Sequence, residues 1–393
     1  MLTRRLLVLC LLAASPLAAQ TTRVETIAEE QAQKAKALGV EGPGKAERVV
    51  MRLISSPLLA ARIGPYPWFG SVYPGSGFAA GVGYLNKLPW GGSFNAATGI
   101  SFNYSKVIEA QLELPELARG KFKINTMVQH LDVKDVSFYG IGPDSAPQQR
   151  RGYDYQPDEM GVDAVFRPGR WFSMSVGTSR LGLTSQRHDV DDDPQPRPRE
   201  LAPGIGRNLT YNVTRATAAI DWRPAQGYNT RGGLYRATWQ RHNEANDKPW
   251  DFRTSEYEVI QLLPLVHEQF VLAFRSLVTL SHTNGGDQVP LVLAPFVGGG
   301  SSLRGFRNRR FTDRNRVLVN GEYRWRPSRY LDMAVFLDAG QVAEHQKQFR
   351  FSSFETAWGA GFRLHGPTFT ALRVEAAKGR EGWVVVFGGG QTF

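Results

Sequence analysis

The sequence predicts an all-β protein, a 16-stranded antiparallel transmembrane β-barrel of the outer membrane with a short N-terminal leader. Three observations carry this reading. The chain opens on an export signal, no later apolar run approaches 18 residues, and from Pro65 onward the hydrophobic period is two.

Residues 1–20 place Arg4 and Arg5 ahead of the apolar run Leu6 to Ala14 and close on the small residues Ala18 and Ala19. This is the pattern of a secretory signal peptide, too short to remain as an anchor. The single cysteine, Cys10, lies inside that run behind Leu9, where lipoprotein processing requires a small residue. The mature chain is therefore expected to carry no cysteine, disulfide or lipid anchor. Removing two arginines and no acids takes the net charge from +11 to +9. A positive balance of this size suits lipopolysaccharide phosphates or a cation-lined channel, and nucleic acid is not an expected partner of an exported chain.

Residues 21–63 are expected to form a short helical or flexible periplasmic leader. Thr26 to Lys36 is charged and helix-like, Gly39 to Gly44 breaks it, and an apolar-biased stretch follows, interrupted at Pro57. The barrel is then expected over 64–393. Its composition suits many strands, with 41 Gly, 22 Phe, 13 Tyr and 9 Trp.

Alternation sets the strands. In 93–104, Phe94, Ala96, Thr98, Ile100, Phe102 and Tyr104 share one face, opposite Ser93, Asn95, Ala97, Gly99, Ser101 and Asn103. Phe172, Met174 and Val176 oppose Ser173, Ser175 and Gly177; Val317, Val319, Tyr323 and Trp325 oppose Arg316, Asn320, Glu322 and Arg324. Lipid on one side and a wet lumen on the other demand this pattern, although a soluble antiparallel sandwich shares it. The predicted strands are 65–73, 77–87, 92–104, 106–117, 121–134, 151–167, 171–183, 208–223, 232–242, 251–263, 270–282, 314–326, 331–343, 352–365, 369–378 and 382–393. Connector lengths separate the two architectures. Short turns such as LPWG, ARG, RPG, PSR and GPT follow even-numbered strands, while the long stretches 135–150, 184–207 and 283–313 follow odd-numbered ones. Short turns on one rim and long loops on the other are the habit of an outer-membrane barrel.

The last predicted strand aligns Trp383, Val385, Phe387, Gly389, Gln391 and Phe393 on one face. A terminal aromatic on an alternating strand, here Trp383, Val385, Phe387 and Phe393, is what such barrels present to their assembly machinery.

Two phrases now acquire meaning together. GGGSSLRGF at 298–306 stands some thirty residues ahead of VFLDAG at 335–340. Leu303-Arg304-Gly305-Phe306 on the sixth extracellular loop, between the eleventh and twelfth strands, with Phe336-x-Asp338-x-Gly340 on the thirteenth strand, resembles the paired motifs of the outer-membrane protein 85 superfamily. FYGIG at 138–142 is a further phrase common in such barrels. The resemblance spans roughly 64–393. It implies a barrel that inserts or translocates protein or lipid, with a weak seam between first and last strands. Its implied partners are membrane lipid or lipopolysaccharide, barrel-assembly machinery and client polypeptides. It also implies small α/β polypeptide-transport-associated (POTRA) domains ahead of the barrel, where this chain has only residues 21–63. A passive pore or a structural surface antigen is the alternative. Glycine near the ends, in FGSVYPGSG (69–77) and Gly388-Gly389-Gly390, is expected to weaken the seam or to relieve crowding.

The residues themselves explain the pairing. In 331–342, Leu331, Met333, Val335, Leu337 and Ala339 face out, so Asp332, Ala334, Phe336, Asp338 and Gly340 face the lumen. An arginine on a loop folded inward can bond Asp338 through both prongs and stack on Phe336. The other arginines nearby, 307, 309, 310, 314 and 316, suit a salt-laced luminal loop, with phosphate binding or pore lining as alternatives.

Other clusters predict little chemistry. Asp189, Asp191, Asp192 and Asp193 suit a solvated loop or a hard-cation site. The seven histidines, 130, 188, 242, 267, 282, 345 and 365, lack metal-ligand spacing, and no metal or cofactor is expected. There is no Gly-x-Ser-x-Gly, Ser301 and Ser302 have no histidine near in sequence, and Gly42-x-Gly44 follows no strand, so no catalytic residues are assigned.

Overall fold

The computed structural model describes residues 63–187, 202–224, 228–246, 249–266, 268–328, 330–366, 370–390 and 392–393. The signal peptide, nearly all of the leader and the four aspartates of 189–193 lie outside the described residues.

Each predicted alternating segment is a strand. In chain order they are β1 (Gly64–Gly70), β2 (Ala79–Lys87), β3 (Ser93–Ser101), β4 (Lys106–Glu113), β5 (Phe122–Phe138), β6 (Arg151–Phe166), β7 (Phe172–Arg187) and β8 (Asn208–Asp221). There follow β9 (Gly232–Glu244), β10 (Phe252–Val266), β11 (Phe270–Thr283), β12 (Phe296–Val297), β13 (Phe311–Thr312), β14 (Asn315–Trp325), β15 (Leu331–Ala343), β16 (Glu355–His365), β17 (Thr370–Gly379) and β18 (Gly382–Gly388). The two-residue strands β12 and β13 pair with each other inside the long loop 284–314, and the remaining sixteen form one sheet in sequence order. The neighbours are antiparallel, so the architecture is an up-and-down 16-stranded barrel. Among the described residues the hydrogen-bonded order ends at β1 on one side and β18 on the other.

The two faces divide as the alternation requires. Ile100, Met174, Val176, Val335, Leu337 and Trp358 are exposed on the outside, while Asn320, Glu322, Ala334, Phe336 and Asp338 are buried within. Inside, an apolar cluster under the long loops joins Val136, Phe138, Tyr153, Leu183, Tyr211 and Phe252. A second cluster at the opposite, short-turn end joins Leu234, Ile260, Leu262, Val271 and Ala273. Tyr73, in the loop after β1, donates to the carbonyl of Lys134 (3.2 Å), and burial pushes its hydroxyl up to about 12.

Two expectations about the barrel's ends change. The stretch FGSVYPGSG is mostly the turn after β1, and Gly75 sits at φ 107 where a Cβ would lie 2.1 Å from Asn308 Nδ2. The glycines that shape this edge belong to β2 and β3: a Cβ at Gly83 would strike the Tyr66 ring at 2.2 Å, and one at Gly99 the Trp68 ring at 2.5 Å. Aromatic rings of the first strand thus lie over glycines of the next two. At the other end, β18 stops at Gly388, and Phe393 is not on its outer face but packed against the cluster around Ile260 and Leu262. Alternation continues through 389, 391 and 393 in the sequence, but the three glycines let the backbone leave the sheet.

Candidate functional site in the lumen

Loop 284–314 returns into the barrel, and glycine at its base makes the turn. Gly298 and Gly299 lie at φ 113 and 98, and a Cβ on Gly298 would come within 2.4 Å of the Arg307 carbonyl oxygen. Leu303, Phe306 and Phe311 are buried with Val297 of β12, Leu318 of β14 and Ala357 of β16. The rings of Phe306 and Phe311 meet edge to face at 5.4 Å.

This apolar seat presents Arg304, itself 0% exposed, to the wall. Its Nε and Nη2 donate to Asp338 Oδ2 and Oδ1 at 2.7 and 2.6 Å, and its backbone N–H to Oδ2 at 3.1 Å. The guanidinium lies 3.5 Å from the centroid of the Phe336 ring. Register explains the convergence. Asn320 of β14 stands opposite Asp338 of β15, and its Nδ2 donates to both Asp338 Oδ1 and the Ser302 carbonyl, each at 2.8 Å.

Arg304 also reaches Glu322, and lies 3.3 Å from Glu375. Glu322 takes both Nη groups of Arg363 (2.9 and 2.8 Å) and Nε of Arg324 (2.7 Å). Glu375 takes Arg363 (2.7 Å) and Arg373 (3.1 Å). Four guanidinium groups therefore meet three carboxylates in a site closed to solvent. Desolvation of so many charges is costly and is offset only because the forks and carboxylates satisfy one another.

The motif glycines have steric reasons. A Cβ on Gly305 would stand 2.6 Å from both Ala357 Cβ and Gly379 N; one on Gly340 would meet Val297 Cγ1 at 3.3 Å. The FYGIG phrase packs against the same loop: Gly142 N–H donates to the Thr312 carbonyl at 2.9 Å, and Arg310 lies over the Tyr139 ring at 5.0 Å.

The remaining loop arginines are mostly spent within the protein. Arg310 bonds Glu381 (2.8 and 3.0 Å) and Ser145 Oγ (2.8 Å), Arg309 bonds the Leu291 carbonyl (2.9 Å), and Arg316 bonds Glu256 (3.0 Å). Arg314 approaches Glu344 at 4.0 Å, and Arg307 is exposed. Under the long loops lies a cavity of about 880 Å³, lined among others by Asp144, Asp313, Arg314, Glu344 and Arg380. Burial raises the Asp313 carboxyl above the usual range, and Glu344 adds to the shift.

Trp383, Val385 and Phe387 project outward from β18 as the alternation predicts. Among the described residues no group of three or more His, Cys, Asp or Glu side chains is placed to hold a metal ion. Sequence reasoning assigned no role to Glu322, Arg363, Arg373, Glu375 and Thr392, which complete the site. The inward parity of each strand was a usable signal.

An antiparallel barrel of sixteen strands, filled by an inward loop whose arginine sits on a β15 aspartate, defines the class. Residues 250–393, the part that contains the loop and its counterface, match the Omp85 superfamily domain. Among solved structures, BamA from Haemophilus ducreyi lacking POTRA domains 1-3 is similar in fold (TM-score 0.63, 14% identity), over 84% of this chain and 70% of that one. CdiB from Escherichia coli (0.55, 14%) and CdiB from Acinetobacter baumannii (0.52, 13%) align over 83% of this chain. The chain spans 62% and 58% of those CdiB chains, respectively. No curated protein matches the chain by sequence.

Proposed function

We propose that this barrel resides in the outer membrane and assists insertion or transport of protein or lipid there, with loop 284–314 held in the lumen by Arg304. The supporting observation is the solvent-free bond of Arg304 to Asp338, backed by Glu322 and Glu375. A pore needs an open lumen, whereas here the loop carries its own apolar seat and its charges are consumed by the wall. The role is non-enzymatic. Lipid or lipopolysaccharide surrounds the wall, and client polypeptides and the assembly machinery are the proposed partners.

Depletion followed by a proteomic count of other outer-membrane proteins tests this reading. Loss of specific clients is expected. Unchanged client levels, together with large steady conductance steps in planar bilayers, would identify a passive pore instead, and unchanged levels without conductance a structural surface antigen.

A further inference from the structure

Where β18 leaves the sheet, Gly388 is still opposite Arg373. Gly390 then turns at φ 75 and its N–H donates to the Thr370 carbonyl at 2.9 Å, which directs the chain inward. The Thr392 hydroxyl, 5% exposed, accepts from Arg373 Nη1 at 2.6 Å and Arg363 Nη2 at 3.2 Å, and lies 3.5 Å from Arg304 Nη1. Phe393 packs on the apolar cradle of Leu234, Ile260, Leu262, Val271 and Ala273, contributed by β9, β10 and β11. The Arg324 guanidinium lies 5.3 Å from the centroid of its ring.

The receiving surface offers more than this segment uses. Arg324 Nη1 and Nη2, Arg363 Nε and Arg373 Nε are buried without a hydrogen-bond partner. These unused donors belong to the cluster of four guanidinium groups and three side-chain carboxylates. Buried donors of this kind favour an acceptor that can reach them.

We propose that the arginine cluster and the apolar cradle form one binding pocket for a short polypeptide segment in which an acceptor side chain precedes an aromatic one. The chain's own Thr392–Phe393 is its tethered occupant. The guanidinium forks recognise hydroxyl or carboxylate, and the cradle recognises the ring. Gly388, Gly389 and Gly390 give the tether freedom to withdraw, and a foreign segment takes the vacated place. That exchange with a client rests on the proposed handling of polypeptides; the pocket and its present occupant do not.

The test is fluorescence anisotropy in detergent micelles with an N-terminally labelled peptide of residues 388–393, Gly-Gly-Gly-Gln-Thr-Phe. Protein truncated after Gly390 should bind it, and the full chain at least tenfold more weakly, because the tethered segment competes at high effective concentration. Replacing the peptide's phenylalanine with alanine should weaken binding roughly ten- to hundredfold. Replacing its threonine with aspartate should strengthen it, since a carboxylate offers the unused guanidinium donors a charged acceptor. Equal binding to truncated and full-length protein, or indifference to the phenylalanine, overturns the proposal. If the truncated chain does not fold, full-length Phe393→Ala and Thr392→Val serve instead. Each should bind the peptide more tightly than the unaltered chain, and no gain in either overturns the assignment. Failure here with specific client loss on depletion would refute the pocket alone, and the converse would refute the transport reading alone.

Discussion

Arg304 meets Asp338 through both prongs of its guanidinium, at 2.7 and 2.6 Å, with neither side chain exposed to solvent. Removing the arginine leaves the buried Asp338 carboxylate without a cation, whereas Glu322 and Glu375 keep Arg324, Arg363 and Arg373. Arg304→Ala should therefore cost roughly 3 to 5 kcal/mol. The measurement is the temperature at which the barrel loses its folded mobility on gels; an unchanged transition with unchanged yield contradicts it. Arg304→Lys keeps the charge without the fork or the ring stacking, and should recover only part of the loss.

Gly305 should tolerate no side chain. A methyl there would stand 2.6 Å from both Ala357 Cβ and Gly379 N. Gly305→Ala is expected to destabilise by about 1 to 3 kcal/mol, the usual range for overpacking. Adding Ala357→Gly should not restore it, because the backbone of Gly379 stays in the way. Urea unfolding of the single and double variants decides the point, and full rescue would show that Ala357 alone sets the limit.

Asp313 supplies a pH dependence. Its carboxyl is raised by burial, so protonation is easier in the folded chain than in the unfolded one. For a raised pKa the favourable contribution is complete at low pH and is lost as pH rises through the folded value. Asp313→Asn should consequently raise the melting temperature at pH 7, and the gain should vanish toward about pH 4, near the ordinary aspartate value. A gain that persists undiminished at pH 4 would assign it to something other than the carboxyl's charge.

The outer face of β18 tests the membrane directly. Val385 is exposed on the outer face and Val384 faces inward. Val385→Arg should cost about 2 to 4 kcal/mol in phospholipid vesicles if that face meets hydrocarbon near the bilayer midplane. The same substitution in a soluble sheet's exposed face would cost little. Equal stability of variant and parent in vesicles would place Val385 outside the hydrocarbon.

The strands were legible because lipid and lumen make opposite demands on successive residues. Val335, Leu337, Phe336 and Asp338 each occupy the face that parity predicts. The Arg304–Asp338 contact was legible because parity placed Asp338 inward and glycine marked a loop able to turn back. The rest of the cluster was harder to see. Parity puts Arg363, Arg373 and Glu375 inside, but only the register that sets Arg363 opposite Arg373 shows that they share a site. Phe393 was misplaced for a related reason. Its parity continues that of Trp383, Val385 and Phe387, and parity has no signal for a backbone that stops pairing at Gly388.

The contact of Gly305 with Gly379 joins loop to wall. It is backbone against backbone: a Cβ on Gly379 would lie 2.7 Å from the Gly305 carbonyl oxygen, so no rotamer change can widen or narrow the gap. Loop and wall are matched to within a methyl group. The loop thereby acts as a gauge for the barrel's girth, since a wall of any other circumference would either crush its tip or leave Arg304 facing water.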